Sequence, residues 1–294
     1  MKNYLIRGAS TDESIRFFSC ITTNLVEEAR RIHDCYPVAA AALGRMLTAG
    51  SMMGVMLKSD KDTVTLQING RGSAGTIVVV SNNTGNPRGY IGNPHVEVML
   101  KDNGKLDVGR AVGVDGVLTV IKDLGLKEPY VGTVPIVSGE IGDDLSAYFS
   151  SSEQTPTAVG LGVYVEVDGS VSAAGGFILQ LMPEADERTI SKLEEKLAKV
   201  KSITDMINSG LDAEGIMKDI LGDIEFKVYE KKEIVYECTC NKERLEKALI
   251  SIGKKELEEL IEEQGNAELV CHFCNKKYHF DRDEMVKILE RATT

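Results

Sequence analysis

The chain has 294 residues, 43% hydrophobic and 27% charged, enough to bury a full core and to form one large domain plus a small one. A formal net charge of −11 argues against a general nucleic-acid or anionic-membrane surface, and with no Trp and few other aromatics no rigid aromatic binding face is offered. The opening MKNYLIRGASTDE has no apolar run ahead of its charges and does not read as a secretory signal, which points to a cytoplasmic protein whose thiols stay reduced.

In chain order, Tyr4–Arg7 and Ile15–Thr22 alternate or cluster apolar residues as strands do. Asn24–Asp34 and Pro37–Leu57 predict helices, with Pro37 suited to a first helical position. The second has the length of a membrane span, but it is built from Ala, Gly, Met and Leu with Arg45 near its middle. That is too weakly apolar for lipid and suits a tightly packed buried helix. Thr63–Ile68 and Thr76–Ser81 flank NGRGSAG and predict a hairpin; the glycines of Gly70–Gly75 fit neither a phosphate loop nor a dinucleotide turn. Glu140–Ser152 is helical in pattern. A second hairpin runs from Ala158–Val167 through Asp168-Gly169 into Val171–Leu181. Strands scattered among few helices predict an α+β domain over residues 1–180, with mixed sheets and packed helices.

Near residue 180 glycine thins out and charge density rises, which marks a boundary. Asp186–Ser202 places Ile190, Leu193, Leu197 and Val200 on one helical face. Shorter helical stretches around Thr204–Ile207 and Ala213–Leu221 are broken by Gly210 and Gly222. Residues 181–233 therefore read as a helical linker, either an arm docked on the first domain or a segment that can come undone. Residues 234–294 predict a small α/β unit: helices over Asn241–Ile252 and Lys254–Gln264, the strand-and-knuckle segment AELVCHFCNKKYHF, and a last helix opened by Asp281 and Glu284 and ending near Arg291. So few large apolar side chains in so short a unit call for a staple.

The staple is legible in the cysteines. Of Cys20, Cys35, Cys238, Cys240, Cys271 and Cys274, the last four form C-x-C, thirty intervening residues, then C-x-x-C. Two tight pairs supply four thiolates, the donor set of a tetrahedral zinc site, so one Zn2+ per chain is expected on Cys238, Cys240, Cys271 and Cys274. A C-x-C pair is unusual for a purely structural ribbon. Its two thiols can close a strained, labile disulfide, so the site can be expected to release its metal on oxidation. Lys242, Lys276, Lys277 and His272 would offset the negative charge of four thiolates. His272 and His279 are rival ligands beside the second pair, while His33 and His95 lack partners at metal spacing. Cys20, in an apolar strand, and Cys35, at a helix end, read as packing residues. No enzyme signature stands out: there is no G-x-S-x-G, no catalytic residue is assigned, and C-H-F-C lacks the βαβ context of a thiol oxidoreductase.

With these residues on view, the chain resembles the 33-kDa heat-shock protein family of bacterial redox-regulated holdases. The C-x-C…C-x-x-C spacing is similar to that family's zinc signature. Gly89-Tyr90 within Arg88–Asn93, the run Ser138-Gly139-Glu140-Ile141, then Tyr148-Phe149 and Ser152-Glu153-Gln154-Thr155-Pro156 resemble its other motifs, and the likeness covers essentially the whole chain. The resemblance implies a chaperone, not an enzyme, that is inactive when reduced and zinc-bound. It further implies that Cys238–Cys240 and Cys271–Cys274 become disulfides under peroxide with heat or under hypochlorous acid. Loss of the metal would unfold the small unit and the adjoining arm, exposing apolar surface to unfolding client proteins. The active form implied is a homodimer, without nucleic-acid or membrane partners.

Two other functions compete on the residues alone. One is a zinc-ribbon adaptor or regulator for a protein or nucleic acid, although residues 181–294 carry 19 basic and 26 acidic residues, net −7. The other is a thiol–disulfide oxidoreductase, which would turn over in a dithiol-driven reduction assay.

Overall fold

In the computed structural model of the protein, which describes residues 2–183 and 185–292, the chain opens with an antiparallel pair, β1 (Tyr4–Ser10) and β2 (Ile15–Ile21). Met1, Glu184, Thr293 and Thr294, which the expected domain ranges included, lie outside the described residues. Asp12 makes the turn: one carboxylate oxygen accepts from the Ser10 and Ser14 hydroxyls and from the Ser14 amide. Helix α1 (Thr23–His33) follows, then α2 (Pro37–Gly54), in which every residue from Val38 to Gly54 except Arg45 is buried. Small residues make that burial possible. A Cβ added at Gly44 would come within 2.5 Å of Val26, and one at Gly50 within 2.5 Å of Val79. No helix among the described residues is long and apolar enough to cross a membrane.

Strands β3 (Thr63–Asn69) and β4 (Ile77–Asn82) form the expected hairpin, and β5 (Arg88–Ile91) pairs beside it. After the short helix α3 (Val108–Val112), β6 (Val117–Asp123) and β7 (Tyr130–Pro135) complete an antiparallel sheet in the order β5-β4-β3-β6-β7. Helix α4 (Gly142–Ser152) starts two residues later than the pattern suggested, because Ile141 sits at φ 70°. Buried Asp144 gathers the amides of Val137, Ser138, Gly139 and Ile141, which holds that turn. The second hairpin, β8 (Thr157–Val165) and β9 (Val171–Leu181), is also present.

The next stretch comprises α5 (Glu187–Leu197), α6 (Ile203–Asn208) and α7 (Ala213–Leu221). Asp186, Ser202 and Asp212 cap the three N-termini through their side chains. Residues 226–233, expected to fall in the helical linker, form strand β10 (Phe226–Glu233), which alternates half-buried and exposed and pairs antiparallel with β1. The second five-stranded sheet is thus β10-β1-β2-β9-β8.

Core packing divides by face. Between the sheets, α2 contributes Leu43, Met46 and Leu47 to a core shared with Leu66, Val79, Val120 and Ile178. The other face of the β10-β1-β2-β9-β8 sheet presents Ile15, Phe17, Phe177 and Leu179. Against it pack Leu193 of α5, Ile203, Met206 and Ile207 of α6, and Ile216, Met217 and Ile220 of α7. Of the three helices α5 is the most loosely held, with Leu193 its one buried side chain; Leu197 is half-buried.

The chain divides into two compact units, Met1–Glu237 and Cys238–Thr294, so the α5–α7 segment and β10 cluster with the larger one. The smaller contains α8 (Lys242–Ser251), α9 (Lys254–Glu263), the antiparallel pair β11 (Asn266–Val270) and β12 (Lys277–Asp281), and α10 (Arg282–Ala292). Its last helix opens on a reciprocal cap: Asp281 accepts from the Glu284 amide at 2.9 Å, and Glu284 accepts from the Asp281 amide at 3.1 Å. A few side chains, among them Leu249, Leu257, Phe280, Met285 and Ile288, form its core, and the cysteines lie against them.

Candidate metal centre

Local backbone geometry presents each cysteine pair. Cys238 and Cys240 flank Thr239 just before Asn241, whose side chain accepts from the Arg244 amide and so starts α8 directly after the pair. Cys271 and Cys274 sit on the knuckle between β11 and β12. Cys271 donates its amide to the Lys276 carbonyl at 3.0 Å and accepts from the Asn275 amide at 2.8 Å; Asn275 takes φ 55° to close the turn. The β-ladder fixes where the knuckle falls, because Val270 pairs with Lys277.

The four sulfurs converge from these two segments. All lie within 4.8 Å of one another, with Cys238 Sγ 3.7 Å from Cys271 Sγ and Cys240 Sγ 3.4 Å from Cys274 Sγ. A tetrahedron of sulfurs about 2.3 Å from a central zinc has edges of about 3.8 Å, so spacing and donor type both suit such a site. The four cysteines could hold a metal ion and are compatible with zinc. Among the described residues no histidine joins the cluster. His279, weighed as a rival ligand, pairs with Glu268 at 3.3 Å instead. His33 lies in the larger unit 3.4 Å from the Tyr236 hydroxyl, and His95 pairs with Asp34 at 3.0 Å.

Surrounding charges are committed more than the sequence suggested. Lys242 pairs with Glu284 at 2.5 Å and Lys277 with Glu268 at 2.9 Å, so two of the expected counter-charges are already neutralised by carboxylates. Lys276 stacks its ammonium 5.3 Å from the centre of the Tyr278 ring. The thiols do not ionise alike. Burial opposes ionisation at Cys240, but hydrogen bonds from the Tyr278 hydroxyl and the neighbouring thiols outweigh it and bring the group down to about 7. Burial, with the thiols of Cys240, Cys274 and Cys271 adding to it, drives Cys238 well above the ordinary thiol value; burial likewise raises Cys274. The hydrogen bond to Cys240 in turn pushes the Tyr278 phenol up to about 12.

Tyr278 is the functional neighbour that sequence reasoning passed over. The available signal was its place on the inward-facing register of β12, two residues before buried Phe280. Cys20 and Cys35 stay out of the cluster. Cys20 is fully buried, with Sγ 4.0 Å from the Thr48 carbonyl, and burial pushes its thiol far up; burial pushes Cys35 up to about 12.

A sequence profile of the Hsp33 protein family matches residues 3–281. The chain belongs to the Hsp33 family. It is similar to a 33 kDa chaperonin of Alkaliphilus metalliredigens, 52% identical over 290 residues and covering 99% of both chains. To a 33 kDa chaperonin of Clostridium perfringens it is 53% identical over 291 residues, covering 99% of this chain and 91% of that one. Among solved structures it resembles the 33 kDa chaperonin, a heat shock protein 33 homolog, of Thermotoga maritima. The TM-score is 0.91 at 37% identity, over 100% of this chain and 99% of that one. The Hsp33 likeness thus spans both compact units.

Proposed function

We propose that the protein is a redox-regulated holdase chaperone of the cytoplasm that binds unfolding proteins and prevents their aggregation. The observation that carries this is the convergence of four thiols in a unit whose own core is small. A bound zinc ion would supply the crosslink that such a unit lacks, on the order of 10 kcal/mol in isolated zinc peptides. Cys238, Cys240, Cys271 and Cys274 would hold it as thiolates, and the same four sulfurs would be the oxidant sensor. Each disulfide joins two thiolates and passes two electrons to peroxide or hypochlorous acid, so two disulfides consume two equivalents and leave no ligand set.

The pairing Cys238–Cys240 with Cys271–Cys274 rests on the family resemblance; the 3.7 Å and 3.4 Å sulfur contacts run across those pairs. The three functional parts are then residues 1–180 as the chaperone body, 181–233 as the arm and 234–294 as the redox switch. Once the switch unfolds, release of α5–α7 would uncover the apolar sheet face of Ile15, Phe17, Phe177 and Leu179. The active form would be a homodimer, as the resemblance implies.

The test compares reduced, zinc-loaded protein with protein oxidised by peroxide at elevated temperature, in light scattering of a thermally unfolding client. Suppression only after oxidation, together with a sulfur-only zinc shell by X-ray absorption in the reduced form, is the expected result. Equal suppression in both states would refute redox control, and catalytic turnover in dithiol-driven insulin reduction would favour an oxidoreductase.

A further inference from the structure

Tyr278 is 8% exposed, its ring packed in the core of the small unit, and its register opposite Leu269 fixes where the ring points. Its hydroxyl lies 3.1 Å from Cys240 Sγ and 3.1 Å from the carbonyl of the same residue. These two contacts tie one phenol oxygen to both ends of Cys240, across 38 residues of chain. A metal-bound thiolate sulfur and a carbonyl oxygen can each only accept, so the phenol's single proton is shared between them as a bifurcated hydrogen bond. The ammonium of Lys276, over the Tyr278 ring, draws electron density from it and makes the O–H a stronger donor. A hydrogen bond from a shielded hydroxyl to a charged acceptor belongs to the strong class.

We infer that Tyr278 is a positioning residue of the metal centre, donating its hydroxyl proton to Cys240 Sγ and holding that sulfur in place as a ligand. This rests on the four-cysteine metal reading above. The bond does two things at once. It anchors the C-x-C segment to β12, so that both cysteine pairs share one rigid support, and it lowers the energy of the sulfur lone pairs. Outer partners of this kind are typically worth 10- to 100-fold in metal affinity.

The experiment uses the full-length reduced protein with cobalt(II) as the probe. Tyr278→Phe, which removes a single oxygen, should lose cobalt to a competing chelator about ten-fold more readily. Its sulfur-to-cobalt charge-transfer band should move to lower energy, a shift that loosened packing alone would not produce. Incorporating 3-fluorotyrosine at position 278 strengthens the donor while keeping the ring, and should move the band the other way. Tyr130→Phe, whose hydroxyl bonds the Ser152 carbonyl in the larger unit, should leave band and affinity unchanged. If Tyr278→Phe retains the wild-type band and affinity, the inference is overturned. If that variant does not fold, as judged by circular dichroism, the fluorotyrosine band decides, and an unmoved band overturns it. If the wild-type protein takes up no cobalt at all, the metal reading itself falls and takes this inference with it.

Discussion

Gly162 offers a way to loosen the arm without touching a residue of the arm or of the metal centre. It lies buried on β8 beneath the start of α6. A Cβ placed there would sit 2.9 Å from Ile203 Cβ, 3.0 Å from Thr204 Cγ2 and 3.1 Å from the Thr204 amide nitrogen. Ordinary contact needs 3.4–4 Å, so Gly162→Ala must push α6 outward by about half an ångström or more. Overpacking of this kind costs about 1–3 kcal/mol. Alanine is otherwise the better strand residue by about 0.5–1 kcal/mol, so any net loss reports the clash. At about 1.4 kcal/mol per factor of ten, the undocked population of α6 should rise about 5- to 150-fold.

Hydrogen exchange on reduced, zinc-loaded protein should then show faster exchange across Ile203–Asn208 and Ala213–Leu221, with β3 and β6 unchanged. Light scattering should show partial suppression of client aggregation without oxidant. Accelerated exchange with no suppression would mean that uncovering the sheet face is not the switch, and that the disulfides or dimerisation contribute directly. Unaltered exchange would show that α6 does not need the space Gly162 leaves it.

Cys20→Ser with Cys35→Ser should leave bound zinc and oxidative activation intact while lowering stability by about 1–3 kcal/mol, because a hydroxyl replaces a thiol in an apolar site. Loss of activation with zinc still bound, measured by metal analysis beside light scattering, would assign these cysteines a redox role. Glu27 accepts from Arg30, Arg31 and the Val171 amide, and its carboxyl is held down to about 2 from an ordinary 4.5. A folded-state value below the unfolded one means stability present above about pH 4.5 and lost as pH falls toward 2. Glu27→Gln should therefore flatten that part of the acid-unfolding curve and cost about 1–3 kcal/mol at pH 7; a curve parallel to wild type would contradict the assignment.

The four clustered cysteines were legible because their signal is local. Cys238 with Cys240, and Cys271 with Cys274, announce themselves by spacing, and two tight pairs in a core-poor unit admit few other uses. What surrounds them was not legible. Tyr278 reaches Cys240 only because β11 and β12 pair in one register, and Lys242 and Lys277, which lie near the cysteines in sequence, are claimed by Glu284 and Glu268. Side-chain partners distant in sequence leave no trace in spacing.

The same division runs through the fold. Periodicity, turn residues and caps determined the β8–β9 hairpin, the buried helix α2, the amphipathic α5 and the Asp281 cap, each from interactions within a few residues. The tertiary structure alone decided the strand orders. It placed Phe226–Glu233 in a sheet as the partner of β1, where its highly charged sequence had suggested a continued linker. It also decided that the arm's apolar faces lie on Phe17 and Phe177. A backbone row of unpaired amides and carbonyls takes whichever segment the rest of the fold delivers to it, and an apolar stripe covers whichever face stands opposite. The first choice depends on residues some two hundred positions away and the second on residues from tens to some two hundred positions away, beyond the reach of any local pattern.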